Sequence, residues 1–526
     1  MEATKALTSK GYAILKHSLT SEQTKRIVTE LNVAPLVNKK FAFNTDALSF
    51  RVYRESPERY YLPREWAREV FGEPQVNLVP VGDGLREDLQ FTGKPYDYQK
   101  AIVDTFIEKG GNGLICVPCG RGKTFMAIWT AFRLKKRFII VVDKEFLLQQ
   151  WKGELESLLP GIQIGIIQED KAQIDSEVIL GPSRTIKELK EQLRDAGLKV
   201  TGTRPELVER LKAAGLPFEN PSQTIHYDCT IATIQTIVTR PFAADAFSKF
   251  GFAIFDECHH LGAQHFNKAL LKIQTRWMLG LSATPQRDDG LTKVFEMFLG
   301  KPVYWEKTRD PDPMVNVRTI YIDCKDSAYT NLPMDWRGEL VMGRLLTQVV
   351  ECAERNDTIA ATLREIASDK QRKILVLSER ISHLQDLEAR LDPKKYSMSY
   401  YVGGMKEEVR EKGAVESQIL LASYAMASEA MNIKTLNCVL LASPRKKVEQ
   451  STGRILRVRP AQRTVPPLIV DIVDSHQVYR SQYRKRAVYY RKCKYSMDTG
   501  EEGDSDDADI RPAAENGCMI IDDDDE

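Results

Sequence analysis

The chain has 526 residues, 42% hydrophobic and 28% charged, which is enough for three or four domains of a soluble globular protein. Its apolar runs are strand-sized, which excludes a membrane-spanning helix, and its start lacks the pattern of a secretory signal; the nine scattered cysteines, an odd number, fit a reducing compartment. The net charge of +2 is uneven: Glu501–Glu526 hold twelve acidic residues and one arginine, net −11, so the preceding 500 residues carry +13 and suit a polyanionic partner.

In chain order, a helix is predicted over Ser21–Leu31 and a strand over Phe50–Tyr53. The apolar run 113–117 predicts a buried strand, and it leads directly into Pro118-Cys119-Gly120-Arg121-Gly122-Lys123-Thr124 and a helix from Phe125 to Leu134. Strand, glycine turn and helix start set backbone N–H groups and the positive helix end around phosphate oxygens. Lys123 would reach the outer phosphates of ATP, and the Thr124 hydroxyl would bind Mg²⁺. The full eight-residue signature wants Gly where Val117 stands. Cys116 and Cys119 belong to this loop, and with no second pair at zinc spacing they are discounted as a metal site.

Further runs at 139–142, 230–233, 252–255 and 278–281 predict strands alternating with helices, the pattern of a parallel sheet covered on both faces. The run 252–255 ends in Asp256-Glu257-Cys258-His259. There Asp256 would hold the metal, Glu257 would orient and deprotonate the attacking water, and His259 would link the ATP site to neighbouring segments. Arg309–Pro313, rich in proline and charge, reads as a linker, after which 374–377, 419–422, 439–442 and 468–473 repeat the strand pattern.

With these residues in place, residues 90 to 475 resemble a superfamily 2 helicase or translocase of the DExH type. Tyr96-Asp97-Tyr98-Gln99 is similar to the upstream element whose glutamine, here Gln99, reads adenine. Asp143 through Trp151 and Ala232–Thr236, with Thr233 and Gln235, resemble motifs that touch the nucleic-acid backbone. Ser282-Ala283-Thr284 matches the motif that couples hydrolysis to movement, and Ile374–Ser378 resembles the opening of the second lobe. Gln450 through Arg457 matches the sixth motif, which implies catalytic roles for Gln450, Arg454 and Arg457, the arginines as fingers on the γ-phosphate. The fifth motif departs from the family: Glu429-Ala430-Met431-Asn432 has Asn where the family often has Asp, which bears on coupling through Glu429.

The resemblance implies an α/β fold with two tandem RecA-like parallel-sheet lobes, 89–306 and 307–478, and ATP between them. The first lobe is interrupted at 183–216 by two short amphipathic helices opened by Thr185-Ile186-Lys187-Glu188 and Thr203-Arg204-Pro205-Glu206, both capping boxes. Ile186, Leu189 and Leu193 would share one face, and Leu207, Val208 and Leu211 another. The segment resembles a SAP motif, a small module that binds double-stranded DNA, with Lys187, Lys190, Lys199, Arg204 and Arg210 toward phosphates; the alternative is a purely structural hairpin. Residues 1–88 form a small α+β accessory domain in which Val52–Ser56 and Tyr61–Arg64 resemble helicases of large DNA viruses, related to XPB and to the poxvirus transcript-release helicase. A basic helix interleaved with tyrosines at 479–497 would bind nucleic acid or pack on the second lobe. An acidic tail follows at 498–526, read as disordered and either solubilising or a mimic of nucleic acid.

The expected activity is that of an ATP- and Mg²⁺-dependent DNA helicase or double-stranded DNA translocase in transcription or repair, inside the cell (nucleus, cytoplasm, or virus factory or virion if viral), with no membrane partner. Single-stranded DNA is a further expected substrate. The alternatives are an ATP-switched DNA scaffold with little motor activity and an RNA helicase.

Overall fold

The computed structural model describes residues 3–36, 49–179, 185–216, 222–287, 289–306, 309–429, 431, 433, 435–458 and 460–498. The acidic tail therefore lies, from residue 499, outside the described residues. The chain divides into two compact units, one of residues 1–117 and 121–306, the other of 118–120 and 307–526.

The first unit is built on an eight-stranded sheet in the order 171–172, 164–168, 229–233, 138–142, 252–255, 277–282, 112–116, 302–305. Every neighbour pair is parallel except the first, 171–172 with 164–168. Parallel strands joined through helices are covered on both faces, which is why Phe138–Val142 and Phe252–Phe255 are apolar at every position and fully buried. Each large apolar side chain so buried contributes about 1.5–3 kcal/mol. Ile164–Gln168, one strand in from the edge, and the edge strand Pro302–Trp305, neither anticipated from sequence, are only half buried, so their apolar signal is diluted.

The amino-terminal segment forms its own five-stranded sheet, but it is not a free-standing body. Leu7, Tyr12 and Trp66 share one core with Ile139, Val141 and Phe255 of the large sheet. The fully buried Arg64 clamps the two: its guanidinium donates to Gln274 Oε1 at 3.1 Å, Asn112 Oδ1 at 3.2 Å and the Thr275 carbonyl at 2.7 Å. The predicted first helix spans Ser21–Glu30, with the Thr20 hydroxyl accepting from the Gln23 N–H at 3.1 Å. Only Phe50–Arg51 of the predicted strand pairs, with Asn32–Val33.

The insertion sits on an antiparallel ribbon of Asp175–Ile179 with Ser222–His226. Its helices run Ile186–Asp195 and Arg204–Ala213, each with the capping box read from sequence. Both end at a glycine with φ +68, Gly197 and Gly215, where a side chain would be strained. There the N–H of Leu198 donates to Leu193 and that of Leu216 to Leu211 across five residues. Leu189, Leu193, Leu207 and Leu211 form a small core of their own, with Val208 packed beside it. Ile186 departs from the expected face: at the first helical position it points outward, 46% exposed.

The second unit carries a seven-stranded parallel sheet in the order 398–401, 419–423, 374–378, 438–441, 468–474, 316–322, 496–498. Its centre holds a fully buried ion pair, Arg355 Nε to Asp474 Oδ1 at 2.7 Å, with Tyr329 donating to the same carboxylate at 3.0 Å. The linker segment is tied to this unit rather than loose, through Arg463 to Asp312 at 2.6 Å and the Asp312 N–H to the Cys493 carbonyl at 2.9 Å.

The basic helix spans Gln477–Lys492, and its tyrosines are not presented for stacking. Tyr479, Tyr483 and Tyr490 are buried, and Arg486 is spent on Asp471 at 2.8 Å. Three- and four-residue spacing puts the aromatic residues on the packed side and leaves Arg480, Arg484, Lys485, Arg491 and Lys492 exposed.

Candidate active site

The loop Pro118–Gly122 links the strand Asn112–Cys116 to the helix Lys123–Leu134, whose first residue is Lys123. A helix start leaves its first N–H groups unpaired at the positive end of the dipole, which suits an anion. Gly120 and Gly122 both have positive φ, +87 and +81. A Cβ at Gly122 would also come within 2.5 Å of Gln99 Nε2, so the turn requires glycine there. Arg121 is held aside by Glu306 at 2.6 Å and stacks over Tyr98.

Asp256 and Glu257 follow the central strand Phe252–Phe255, two strands away from Asn112–Cys116 across Trp277–Ser282. This brings Lys123 Nζ to 3.6 Å from Glu257 Oε1. Glu257 sits in left-handed backbone, φ +41, ψ +52, a costly conformation for a residue with a Cβ. Asp256 is fixed by the indole N–H of Trp151, which donates to Oδ2 at 2.8 Å, and by the Glu257 N–H, which donates to Oδ1 at 3.0 Å. Burial draws the Glu257 carboxyl upward, but Lys123 and then His259 and His260 outweigh it and hold it below the usual carboxylate range. Asp256 moves the other way, pushed up by burial and by Glu257. The pair can thus place an ionised carboxylate and a second, charge-strained one beside a single ammonium. Hard carboxylate oxygens with the Thr124 hydroxyl at the helix start are a donor set whose chemistry suits Mg²⁺. Among the described residues no three His, Cys, Asp or Glu side chains converge to hold a metal by themselves.

Two histidines carry contacts outward. His259 Nδ1 lies 3.0 Å from Ser282 Oγ and 3.4 Å from Glu257 Oε2, while Ser282 Oγ accepts from the Thr284 N–H at 3.1 Å. His260 Nε2 lies 3.5 Å from Asp143 Oδ2, and the Asp143 carbonyl accepts from Gln235 Nε2 at 2.8 Å. Burial, then His259, lowers His260 to about 4, so it is neutral near pH 7. Sequence reasoning missed His260 and the Trp151 support of Asp256; the doubled histidine and a tryptophan at the end of a resembled motif were the available signals.

Other predicted residues are placed differently. Gln99 is buried and engaged, its amide donating to the Arg121 carbonyl at 3.1 Å and accepting from the Tyr96 N–H at 3.0 Å, so it shapes the loop from beneath. Thr233 is also buried, its hydroxyl donating to Thr236 Oγ1 at 2.9 Å. Lys187, Lys199 and Arg204 are exposed on the insertion and Lys190 is half-buried. In the second unit Arg454 and Arg457 converge on one acceptor, the Met431 carbonyl, at 2.8 and 2.6 Å, and Gln450 is half-buried on the short helix Glu449–Thr452. Glu429 closes the helix Tyr424–Glu429, its side chain, like Asn432, lying outside the described residues. Among the described residues no helix is long and apolar enough to cross a membrane.

The family described as "Type III restriction enzyme, res subunit" matches residues 92–287. A protein of Acanthamoeba polyphaga mimivirus named "Putative ATP-dependent RNA helicase L396" is 28% identical over 93% of this chain and 86% of its own length. A protein of African swine fever virus named "Putative ATP-dependent RNA helicase QP509L" is 22% identical over 76% of this chain and 74% of its own. The crystal structure of T4 UvsW aligns over 91% of this chain and 96% of its own at 16% identity, with a TM-score of 0.31, too low to bear on the fold. The family match over the first sheet and the viral relatives support one assignment, a superfamily 2 helicase, and the protein is an enzyme that hydrolyses ATP.

Proposed function

We propose that the protein is an ATP- and Mg²⁺-dependent DNA helicase or double-stranded DNA translocase acting in transcription or repair. The observation that carries the ATP chemistry is the 3.6 Å approach of Lys123 to Glu257 beside the phosphate loop. Pro118 through Thr124 would bind the phosphates, and Thr124 and Asp256 would hold Mg²⁺, which would neutralise phosphate charge when bound. Glu257, kept ionised, takes the proton of the attacking water; its buried position and strained backbone aim it for that purpose. Arg454 and Arg457, side by side on the Met431 carbonyl, would act as the γ-phosphate fingers that the sixth-motif resemblance implies. His259, Ser282 and Thr284 form a bonded path by which the state of Glu257 reaches the next strand. The chemistry is thereby made sensitive to what the motif loops hold.

DNA as substrate is supported by the insertion, which has its own leucine core and exposed Lys187, Lys199 and Arg204, in keeping with a SAP-like DNA grip. An XPB-like viral ancestry is the reading that best accommodates the amino-terminal segment. The names of the mimivirus and African swine fever virus relatives favour a second reading, an RNA helicase.

The test compares ATPase stimulation by duplex DNA, single-stranded DNA and RNA, then strand displacement with triplex displacement, for the full chain and for a chain lacking 183–216. Duplex-stimulated hydrolysis with triplex displacement that weakens without 183–216 is expected. Stimulation by RNA alone would move the protein to the second reading. ATP-dependent DNA binding with unstimulated hydrolysis would make it a scaffold.

A further inference from the structure

A cavity of about 490 Å³ lies in the first unit between the Phe50–Arg54 stretch of the amino-terminal segment and the helix Asn267–Lys272 of the first lobe. Arg51, Arg54, Lys268 and Lys272 line it, and no carboxylate does among the described residues. Like charges gathered around one hollow repel each other, and an anion relieves that repulsion.

The cations divide by occupation. Lys272 is spent on structure: its ammonium donates to the carbonyls of Ile237, Val238 and Arg240 at 2.8, 2.9 and 2.9 Å. It thereby caps the helix Ile234–Thr239, which begins directly after Thr233 and contains Gln235. Arg54 and Lys268 make no hydrogen bond or ion pair among the described residues, while Arg51 reaches Glu55 at 3.5 Å and lies over the Tyr53 ring at 5.9 Å. Asn267 is 2% exposed and lines the cavity, with its Nδ2 lacking a partner among the described residues. A buried amide N–H without an acceptor costs about 1–3 kcal/mol, a cost an incoming anionic oxygen removes. Burial, then Arg54 and Lys268, pulls Lys272 below the usual lysine range, which reflects how closely these charges gather.

We propose that this cavity binds a backbone phosphate of the nucleic-acid strand on which the enzyme acts, with Arg54 and Lys268 supplying charge and Asn267 a buried N–H. The inference rests on the reading of the protein as a nucleic-acid-stimulated ATPase. Because Lys272 joins the cavity wall to the helix that carries Gln235, a phosphate held here lies on the same rigid piece as the resembled backbone-contacting motif. The amino-terminal segment then serves as one jaw of a grip whose other jaw belongs to the motor lobe.

The experiment measures binding of fluorescein-labelled duplex and single-stranded DNA and RNA to the full chain across a salt series. It compares wild type, R54A/K268A, and a charge-matched control, K25A/K152A, at exposed lysines of the same unit. R54A/K268A is expected to bind its preferred strand roughly tenfold more weakly in 0.1 M salt, and to flatten log K against log salt by about 1, the share of one phosphate. The control is expected to stay near wild type. Equal behaviour of R54A/K268A and the control, with wild type binding tightly, overturns this site and leaves the reading of the enzyme standing. A wild type that binds no strand and shows no stimulated hydrolysis overturns both. Competition by millimolar inorganic phosphate that is lost in R54A/K268A, with no change in strand affinity, would assign the cavity to a free anion and also overturns the proposal.

Discussion

His259 Nδ1 stands 3.0 Å from the hydroxyl of Ser282, so the residue after the Glu257–Cys258 turn is bonded to the end of the neighbouring strand. The same imidazole is 3.4 Å from the Glu257 carboxylate. One ring therefore touches both the group that handles water and the segment resembling a coupling motif.

Ser282→Ala removes that contact and leaves Lys123, Asp256 and Glu257 in place. A hydrogen bond of this kind is worth about 1 kcal/mol, which corresponds to roughly fivefold in rate. The stimulated ATPase rate is expected to fall by about that factor while the unstimulated rate changes less than about twofold. Steady-state phosphate release with and without nucleic acid checks this; an equal fall in both rates would place Ser282 in the chemistry and not in coupling.

Glu257→Gln keeps the side chain's size but removes its capacity to accept the water proton. Hydrolysis is expected to drop about 10²–10⁴-fold, the range of a lost general base. Binding of a fluorescent ATP analogue should persist, since the phosphate loop and Lys123 are untouched. A variant that hydrolyses at more than a tenth of the wild-type rate would assign the base elsewhere.

Arg355 and Asp474 are both completely buried, and Tyr329 shares the carboxylate. Removing one partner strands a charge in the interior, so Arg355→Ala is expected to destabilise by about 3–5 kcal/mol. The double replacement R355M/D474L should recover much of that loss, because two apolar groups need no counter-charge. Thermal unfolding of the three proteins measures it, and a double variant no better than Arg355→Ala would contradict the account.

His383 is buried between Ser378 Oγ at 2.9 Å and Asn356 Oδ1 at 3.1 Å, and burial, then Arg355, pulls it down to about 3. It therefore stays neutral in the fold while the unfolded chain takes up a proton below about pH 6.5. With more protons bound unfolded than folded between those limits, stability must fall as pH drops through that window. Acidification from pH 7 to 5 is expected to cost about 2 kcal/mol through this group alone. Comparing urea midpoints of wild type and His383→Gln at both pH values tests the sign; an equal acid sensitivity of the two proteins would refute it.

Much of the site was legible in the order of residues because it is local. Glycine turn, Lys123 and Thr124 are neighbours along the chain, as are Asp256 and Glu257, and central strands such as 252–255 are uniformly apolar because both faces are covered. The insertion was legible too, since its capping boxes and terminal glycines are short-range chemistry. The strand 164–168, one in from its sheet's edge, and the edge strand 398–401 carry weaker signals, being half-covered, and were not anticipated.

What the tertiary structure alone decided is which side each ambiguous side chain faces and which distant segments meet. The tyrosines of 477–492 could stack on bases or pack on a sheet by their spacing; burial on the sheet beside Asp471 settles it. Thr233 and Gln99 resemble ligand-contacting groups in sequence, and the fold fixes each by a hydrogen bond, Thr233 to Thr236 and Gln99 to the Arg121 carbonyl. Trp151 meeting Asp256, Arg64 joining two sheets, and Arg54 facing Lys268 across one cavity all link residues more than 100 positions apart. Periodicity carries no information about such pairings, because they are set by strand order in a parallel sheet, where neighbours in space come from separate stretches of chain.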